Sequence, residues 1–266
     1  MSVELIDIGI NLTHDSYDHD REQVLRRAIE VGVVQFVVTG ASLEGSQAAL
    51  ALSRAAPRML RATAGCHPHH AADLDDVAFE GLSALAADPL VVAVGETGLD
   101  YHRNFSAPRE QRLAFERQVQ LAIGLQKPLF LHERDAHADF IAILRAHQKD
   151  LPPAVLHCFT GSGEALEACL DFGLHIGITG WICDERRGLH LRELVGQIPA
   201  GRLMVETDGP YLLPRDLTPK PESRRNEPQY LPHIAAVIAA ARGETLAELA
   251  AHTTATARRF FGLPPV

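Results

Sequence analysis

Short apolar runs alternate along the chain with longer stretches in which apolar residues return every three to four positions. The runs cover residues 5–10, 35–39, 61–65, 91–94, 128–131, 154–156, 175–178 and 202–205. Their length and β-branched content suit strands buried on both faces. Helical periodicity fills 21–31, 43–56, 109–126, 138–148, 164–172 and 189–198, and two further helical stretches, 230–242 and 245–260, close the chain. Eight strand units wound by crossover helices predict an α/β fold, the TIM (β/α)8 barrel. A doubly wound open sheet is the rival, but no Gly-rich dinucleotide turn follows the first run. The proline- and charge-rich segment 211–228 is expected to loop over the barrel mouth.

Composition narrows this picture. The 266 residues carry no Ser/Gly-rich or charge-run linker, so a single domain over 1–266 is expected, within the size of α/β barrels. No apolar run reaches the ~18 residues of a membrane span, and the opening MSVELIDIGI lacks a basic, apolar leader. Cys66, Cys158, Cys169 and Cys183 show no CxxC spacing, which suits a reduced cytoplasm better than a disulfide framework. A monomer is expected. The net charge of −9 argues against coating nucleic acid by bulk electrostatics, yet leaves room for a local basic groove.

Candidate chemistry sits at the ends of the runs. Asn11 follows the first, His67 the third, Glu96 the fourth, His132 the fifth, His157 the sixth and Asp208 the eighth. Barrel active sites are assembled from that C-terminal face by side chains of several strands. Imidazoles and carboxylates meeting there suit Mg²⁺, Mn²⁺ or Zn²⁺. In VVAVGETGLD (91–100), Gly95 and Gly98 are expected to turn the backbone sharply and release Glu96 from a buried strand into a tight, open loop. The blander reading is a cap or an arginine partner. His132 and His157 stand out from fourteen histidines because each directly follows an apolar strand, PLFL-His and AVL-His; His19, His137, His147, His190, His233 and His252 read as ordinary loop or helix residues.

The motifs DIGINLT, GCHPH, VGETGLDYHRNFS, LHERDA, LHCFTG, GITGWICDERRG, ETDGPYLLPRDLTPKPESRRNEP and the terminal FFG occur in order. Together they resemble the TatD family of metal-dependent nucleases over essentially the whole chain. The resemblance implies an amidohydrolase-like hydrolase acting as a Mg²⁺-dependent 3′–5′ exonuclease on single-stranded DNA and RNA. Its metal ligands would fall on Glu96, His132, His157 and Asp208. Most relatives carry His-x-His after the first strand, where this chain has Gly9 and Asn11. Two imidazoles are therefore missing, which points to oxygen-rich Mg²⁺ or Mn²⁺ binding rather than a permanent two-metal centre.

Phosphodiester cleavage needs an activated water, a base and positive charge on the phosphate. Asp208 is assigned as ligand and base, Glu96 as the essential carboxylate, and His67 as donor to a phosphate oxygen or the leaving group. Asn11, Arg134, Arg186, Arg224 and Arg225 are the expected substrate contacts, within a wider set of mouth-loop bases that includes Arg103, Arg187, Arg215 and Lys220. Tyr101, Phe105, Trp181 and Tyr211 are candidates for stacking unpaired bases. Two other readings stay open: an amide or ester hydrolase, such as a deacylase on nucleic-acid-linked amino acids, and a non-catalytic partner that keeps the barrel. The arginine-rich mouth disfavours the first and the full ligand set disfavours the second.

Overall fold

The computed structural model describes residues 3–265. Eight strands form where the apolar runs lie: β1 (Leu5–Ile10), β2 (Val33–Val38), β3 (Leu60–Ala64), β4 (Val91–Asp100), β5 (Leu129–Arg134), β6 (Ala154–Leu156), β7 (His175–Ile178) and β8 (Leu203–Val205). They make one sheet in chain order, β1 to β8, and neighbours such as β1–β2, β4–β5 and β7–β8 run parallel. Beyond β8 the chain returns to the first strand: the Asp208 N–H donates to the Gly9 carbonyl and the Asn11 N–H to the Gly209 carbonyl, both at 2.8 Å. Sequential order with the last strand meeting the first is the (β/α)8 barrel. A doubly wound sheet would reverse its order at a switch point.

The helices are α1 (Arg21–Glu30), α2 (Leu43–Ala55), α3 (Asp76–Ala86), α4 (Pro108–Leu125), α5 (His137–Ala146), α6 (Gly163–Phe172), α7 (Leu189–Leu194), α8 (Leu231–Arg242) and α9 (Leu246–Phe261). Helix α3 is absent from the periodic pattern for a physical reason. Val77 is 76% exposed and so puts an apolar residue on the wet face, and Gly81 interrupts the run. A Cβ at Gly81 would stand 2.9 Å from Leu43 Cδ1, so the glycine lets α3 close onto α2. Asp75 supplies the start signal, its carboxylate accepting from the Ala78 N–H at 2.8 Å.

By compactness the chain divides into two units. One comprises the chain up to Val38, Cys158–Leu166 and everything from Ile176 onward; the other comprises Thr39–His157 and Glu167–His175. The first buries Ile6, Ile8, Ile10, Phe36, Met204, Ile234 and Ile238. The second buries Val94, Phe115, Phe130, Leu131, Phe140 and Leu156, with Phe115 and Phe140 stacked at 5.5 Å between ring centroids.

Strand β4 corrects the expectation that Glu96 emerges into an open loop. The strand continues to Asp100, with a break in its register against β5 between Val94 and Thr97. Gly95 and Gly98 take φ of +143° and +145°. A Cβ at either would overlap a carbonyl oxygen of β5, Phe130 for Gly95 and His132 for Gly98. Glycine is needed here because two strands approach closely, which a sequence cannot distinguish from a turn. Glu96 is consequently 6% exposed.

Candidate metal centre

The site grows from one carboxylate oxygen. Glu96 Oε1 lies 2.7 Å from His157 Nε2, 3.0 Å from His132 Nδ1 and 3.4 Å from His67 Nε2. The register break turns Glu96 to this position, while His132 projects from within β5, which runs on to Arg134, and His157 directly follows β6. Phe130 stacks on the His157 ring at 4.7 Å and fixes its plane. The donor atoms of His67, Glu96 and His132 all lie within 4.8 Å of one another.

Burial and charge act against each other here. Burial alone would raise the Glu96 carboxyl, but the surrounding imidazoles hold it well below its usual range. Burial pushes His67 down to about 3. It would do the same to His132, except that the Asp100 and Glu96 carboxylates facing its ring override it and hold that ring above the usual imidazole range.

Ring tautomers separate the three histidines. The His67 Nδ1 accepts from the His69 backbone N–H at 3.1 Å, so the neutral ring carries its proton on Nε2, the atom facing Glu96. A protonated nitrogen cannot hold a metal. His67 is therefore built as a hydrogen-bond donor. His132 Nε2 is buried without a hydrogen-bond partner, its nearest carboxylate being Asp100 Oδ2 at 3.8 Å. An orphaned imidazole nitrogen beside converging nitrogen and carboxylate donors is a donor set that fits a divalent cation.

Two residues of this cluster were not singled out from the sequence. Asp100, 2% exposed, accepts from the backbone N–H groups of His102 and Arg103 at 2.9 and 2.8 Å. His69 Nε2 reaches it at 2.7 Å. Burial would raise the Asp100 carboxyl, but the His132 and His69 rings beside it hold it well below its usual range. The available signal was strand alternation: Glu96, Gly98 and Asp100 share one face of an extended strand. It was obscured because the strand was expected to stop at Val94.

In the other unit Asp208, at φ +55°, accepts from Asn11 Nδ2 at 3.0 Å. In the same unit, one on β1 and one directly after β8, lie two buried carboxylates that the sequence pattern gave no reason to separate from core positions. Asp7 accepts from the Thr207 and Gly9 N–H groups and from the Thr207 hydroxyl, and burial pushes its carboxyl up to about 7. Glu206 Oε1 accepts from the Cys158 N–H at 2.5 Å.

Several expected substrate arginines have their charge committed elsewhere. Arg186 and Arg187 both pair with the buried Asp184, and Arg187 also lies over Trp181 at 4.3 Å. Arg215 pairs with Glu185. Arg225 reaches Asp20 at 2.7 Å and Glu227 at 2.6 Å and lies over Tyr17, which makes it an anchor of the mouth segment. Arg224, by contrast, is exposed and lines a groove of about 550 Å³ with Lys220, Arg215, Pro214 and Pro221. Arg134 ends β5, its carbonyl accepting from the Tyr101 N–H. Phe105 and Tyr211 are 67% and 52% exposed, whereas the Tyr101 hydroxyl is held by Asp139 and Arg112.

Comparison with known proteins adds an independent line. The family model described as TatD related DNase matches residues 6–262. The 3′-5′ ssDNA/RNA exonuclease TatD of Salmonella typhimurium is 54% identical over 257 residues, covering 97% of this chain and 98% of that protein. The protein of the same name from Erwinia amylovora is 53% identical over 259 residues, 97% of this chain and 100% of its own. The crystal structure of YJJV, a TatD homologue from Escherichia coli, superposes with a TM-score of 0.90 at 28% identity, over 99% of this chain and 100% of that one.

Proposed function

Because the chain belongs to the TatD related DNase family, we propose that it is a divalent-metal-dependent 3′–5′ exonuclease that hydrolyses phosphodiester bonds of single-stranded DNA and RNA. The observation that carries this reading is the convergence of His132 and His157 on Glu96 beside the orphaned His132 nitrogen. Glu96, His132 and His157 would hold the cation. Asp208 joins them on the strength of its ETDGP motif and its place directly after β8. We read Mg²⁺ as the working metal, with Mn²⁺ or Zn²⁺ as substitutes that the imidazole donors also suit.

When bound, the cation supplies Lewis acidity and lowers the pKa of a nearby water. The residues divide the remaining tasks. Asp208 accepts a proton as the water oxygen bonds to phosphorus and the phosphorus–oxygen bond between the terminal nucleotide and the rest of the strand breaks, the leaving oxygen taking up a proton from solvent. His67, kept neutral with its proton on Nε2, donates that N–H to a phosphate oxygen where charge builds. Asp100, itself fixed by two backbone N–H groups, keeps its negative charge beside the His132 ring. Asn11 holds the Asp208 carboxylate, and Arg134 and Arg224 contact the strand's phosphates; Arg186 and Arg225 contribute through the acids they hold. Phe105 and Tyr211 offer exposed rings for unpaired bases.

The uninterrupted family match supports reading the whole chain as one hydrolase domain, which we read as a monomer. No helix among the described residues is long and apolar enough to cross a membrane, and Cys66, Cys169 and Cys183 are buried free thiols, which supports a cytoplasmic location. The test is incubation of 3′- and 5′-labelled single-stranded and duplex DNA and RNA with each metal. Stepwise shortening from the 3′ end, abolished by EDTA, is the expected result. Undiminished cleavage in excess chelator refutes it, and release of an acyl group from aminoacylated oligonucleotides without strand shortening would favour a deacylase.

A further inference from the structure

The segment after β8 meets the body of its own unit through a second group of metal-competent side chains, unrelated to the central one. Cys183 ends a 3-10 turn over Gly180–Cys183 and is fully buried. Asp216 lies in the mouth segment, and His233 stands in the first turn of α8. The donor atoms of all three lie within 4.8 Å of one another. His233 Nε2 faces Asp216 Oδ1 at 2.7 Å, while Asp216 Oδ2 accepts from Arg192 at 3.2 Å. The same arginine donates Nε to the Ile182 carbonyl at 3.0 Å, immediately before the cysteine.

We propose that Cys183, Asp216 and His233 form a second, thiolate-containing metal site that takes Zn²⁺ and pins the mouth segment to α8. Thiolate, imidazole and carboxylate are together the donors a borderline-soft cation selects, and no Mg²⁺ site would recruit sulfur. Tetrahedral bonds of about 2.0–2.3 Å separate neighbouring donors by roughly 3.3–3.7 Å, so His233 and Asp216 need to part by less than about 1 Å. His157 Nε2 and Glu96 Oε1 in the central cluster stand at the same 2.7 Å separation. Arg192 keeps one carboxylate oxygen while the other ligates, the outer-shell support that orients a ligating acid. Burial and the Asp216 charge keep the thiol protonated without metal. Uptake therefore releases a proton.

The consequence is mechanical rather than catalytic. Lys220 and Arg224, four and eight residues after Asp216, line the groove in this same segment, so a cation held by Asp216 steadies the basic residues without touching substrate.

Cobalt discriminates the two sites, because none of the central donors is sulfur. Co²⁺ added to the metal-free full-length protein is expected to give a near-ultraviolet sulfur-to-cobalt charge-transfer band. Cys183→Ser removes that band and one bound Zn²⁺ equivalent, while Glu96→Ala retains both. His233→Ala keeps the thiol and weakens Zn²⁺ at this site by more than about 100-fold, since losses of outer-shell partners alone cost ~10–100-fold. No charge-transfer band in the wild type overturns the proposal, whether or not the variants fold. So does a band that survives Cys183→Ser at full strength.

Discussion

His157 Nε2 lies 2.7 Å from Glu96 Oε1, both side chains almost wholly withdrawn from water. A lone buried carboxylate is costly, and here three imidazoles offset that cost by surrounding it. Two of these rings, His132 and His157, are also those assigned to the cation, so the groups that stabilise the anion form part of the candidate metal centre.

Removing that carboxylate should separate chemistry from folding. Glu96→Ala is expected to lower turnover by about 10³-fold or more, roughly 4 kcal/mol of barrier, while thermal unfolding shifts by only a few degrees. Parallel activity and melting measurements check this. An inactive variant that is also unfolded would make Glu96 a structural residue.

His67 should act without holding metal. His67→Ala is expected to reduce kcat by about 10²–10³-fold, the range for loss of one charge-stabilising donor, with metal affinity at the centre changed little. Calorimetric titration of Mn²⁺ into both proteins reads the difference. Loss of metal binding equal to that of His132→Ala would show that His67 ligates after all.

The raised pKa of Asp7 makes a signed pH prediction. Folding holds its proton up to about pH 7, whereas the unfolded chain releases it near 3.8. Between those values the folded state binds more protons, so the Asp7 contribution to stability is present at low pH and is lost as pH rises through 7. Asp7→Asn cannot titrate. Its stability relative to wild type is therefore expected to climb between pH 4 and pH 8, by up to about 4 kcal/mol, when both are unfolded in urea. A constant difference across that range would refute the assignment.

Arg224 and Arg225 should behave oppositely despite being neighbours. Arg224→Ala is expected to weaken single-strand binding and reduce the salt slope by about 1, leaving stability unchanged. Arg225→Ala breaks the links to Asp20 and Glu227 and is expected to cost about 2 kcal/mol of stability, below the 3–5 of a fully buried pair because its side chain is partly wet. Filter binding across salt and urea unfolding of the two variants check both halves.

By itself the sequence determined the barrel, because eight apolar runs separated by helical stretches leave a parallel sheet few other ways to bury both faces. It also placed His157 directly after its strand, β6, whereas β5 runs through His132 to Arg134 and the expected boundary after residue 131 is not there. What it left undecided was how far a strand runs and what a charge meets. Gly95 and Gly98 are needed because β5 lies against them, a long-range contact that looks locally like a turn, and so the face shared by Glu96 and Asp100 stayed hidden. Arg225 and Arg186 carry the same charge as Arg224. Only the tertiary structure brings Asp20 and Glu227 to the first and Asp184 to the second, because ion pairing is decided by neighbours far away in sequence. The tautomer of His67 belongs with these, since a single backbone N–H at His69 decides which of its nitrogens carries the proton.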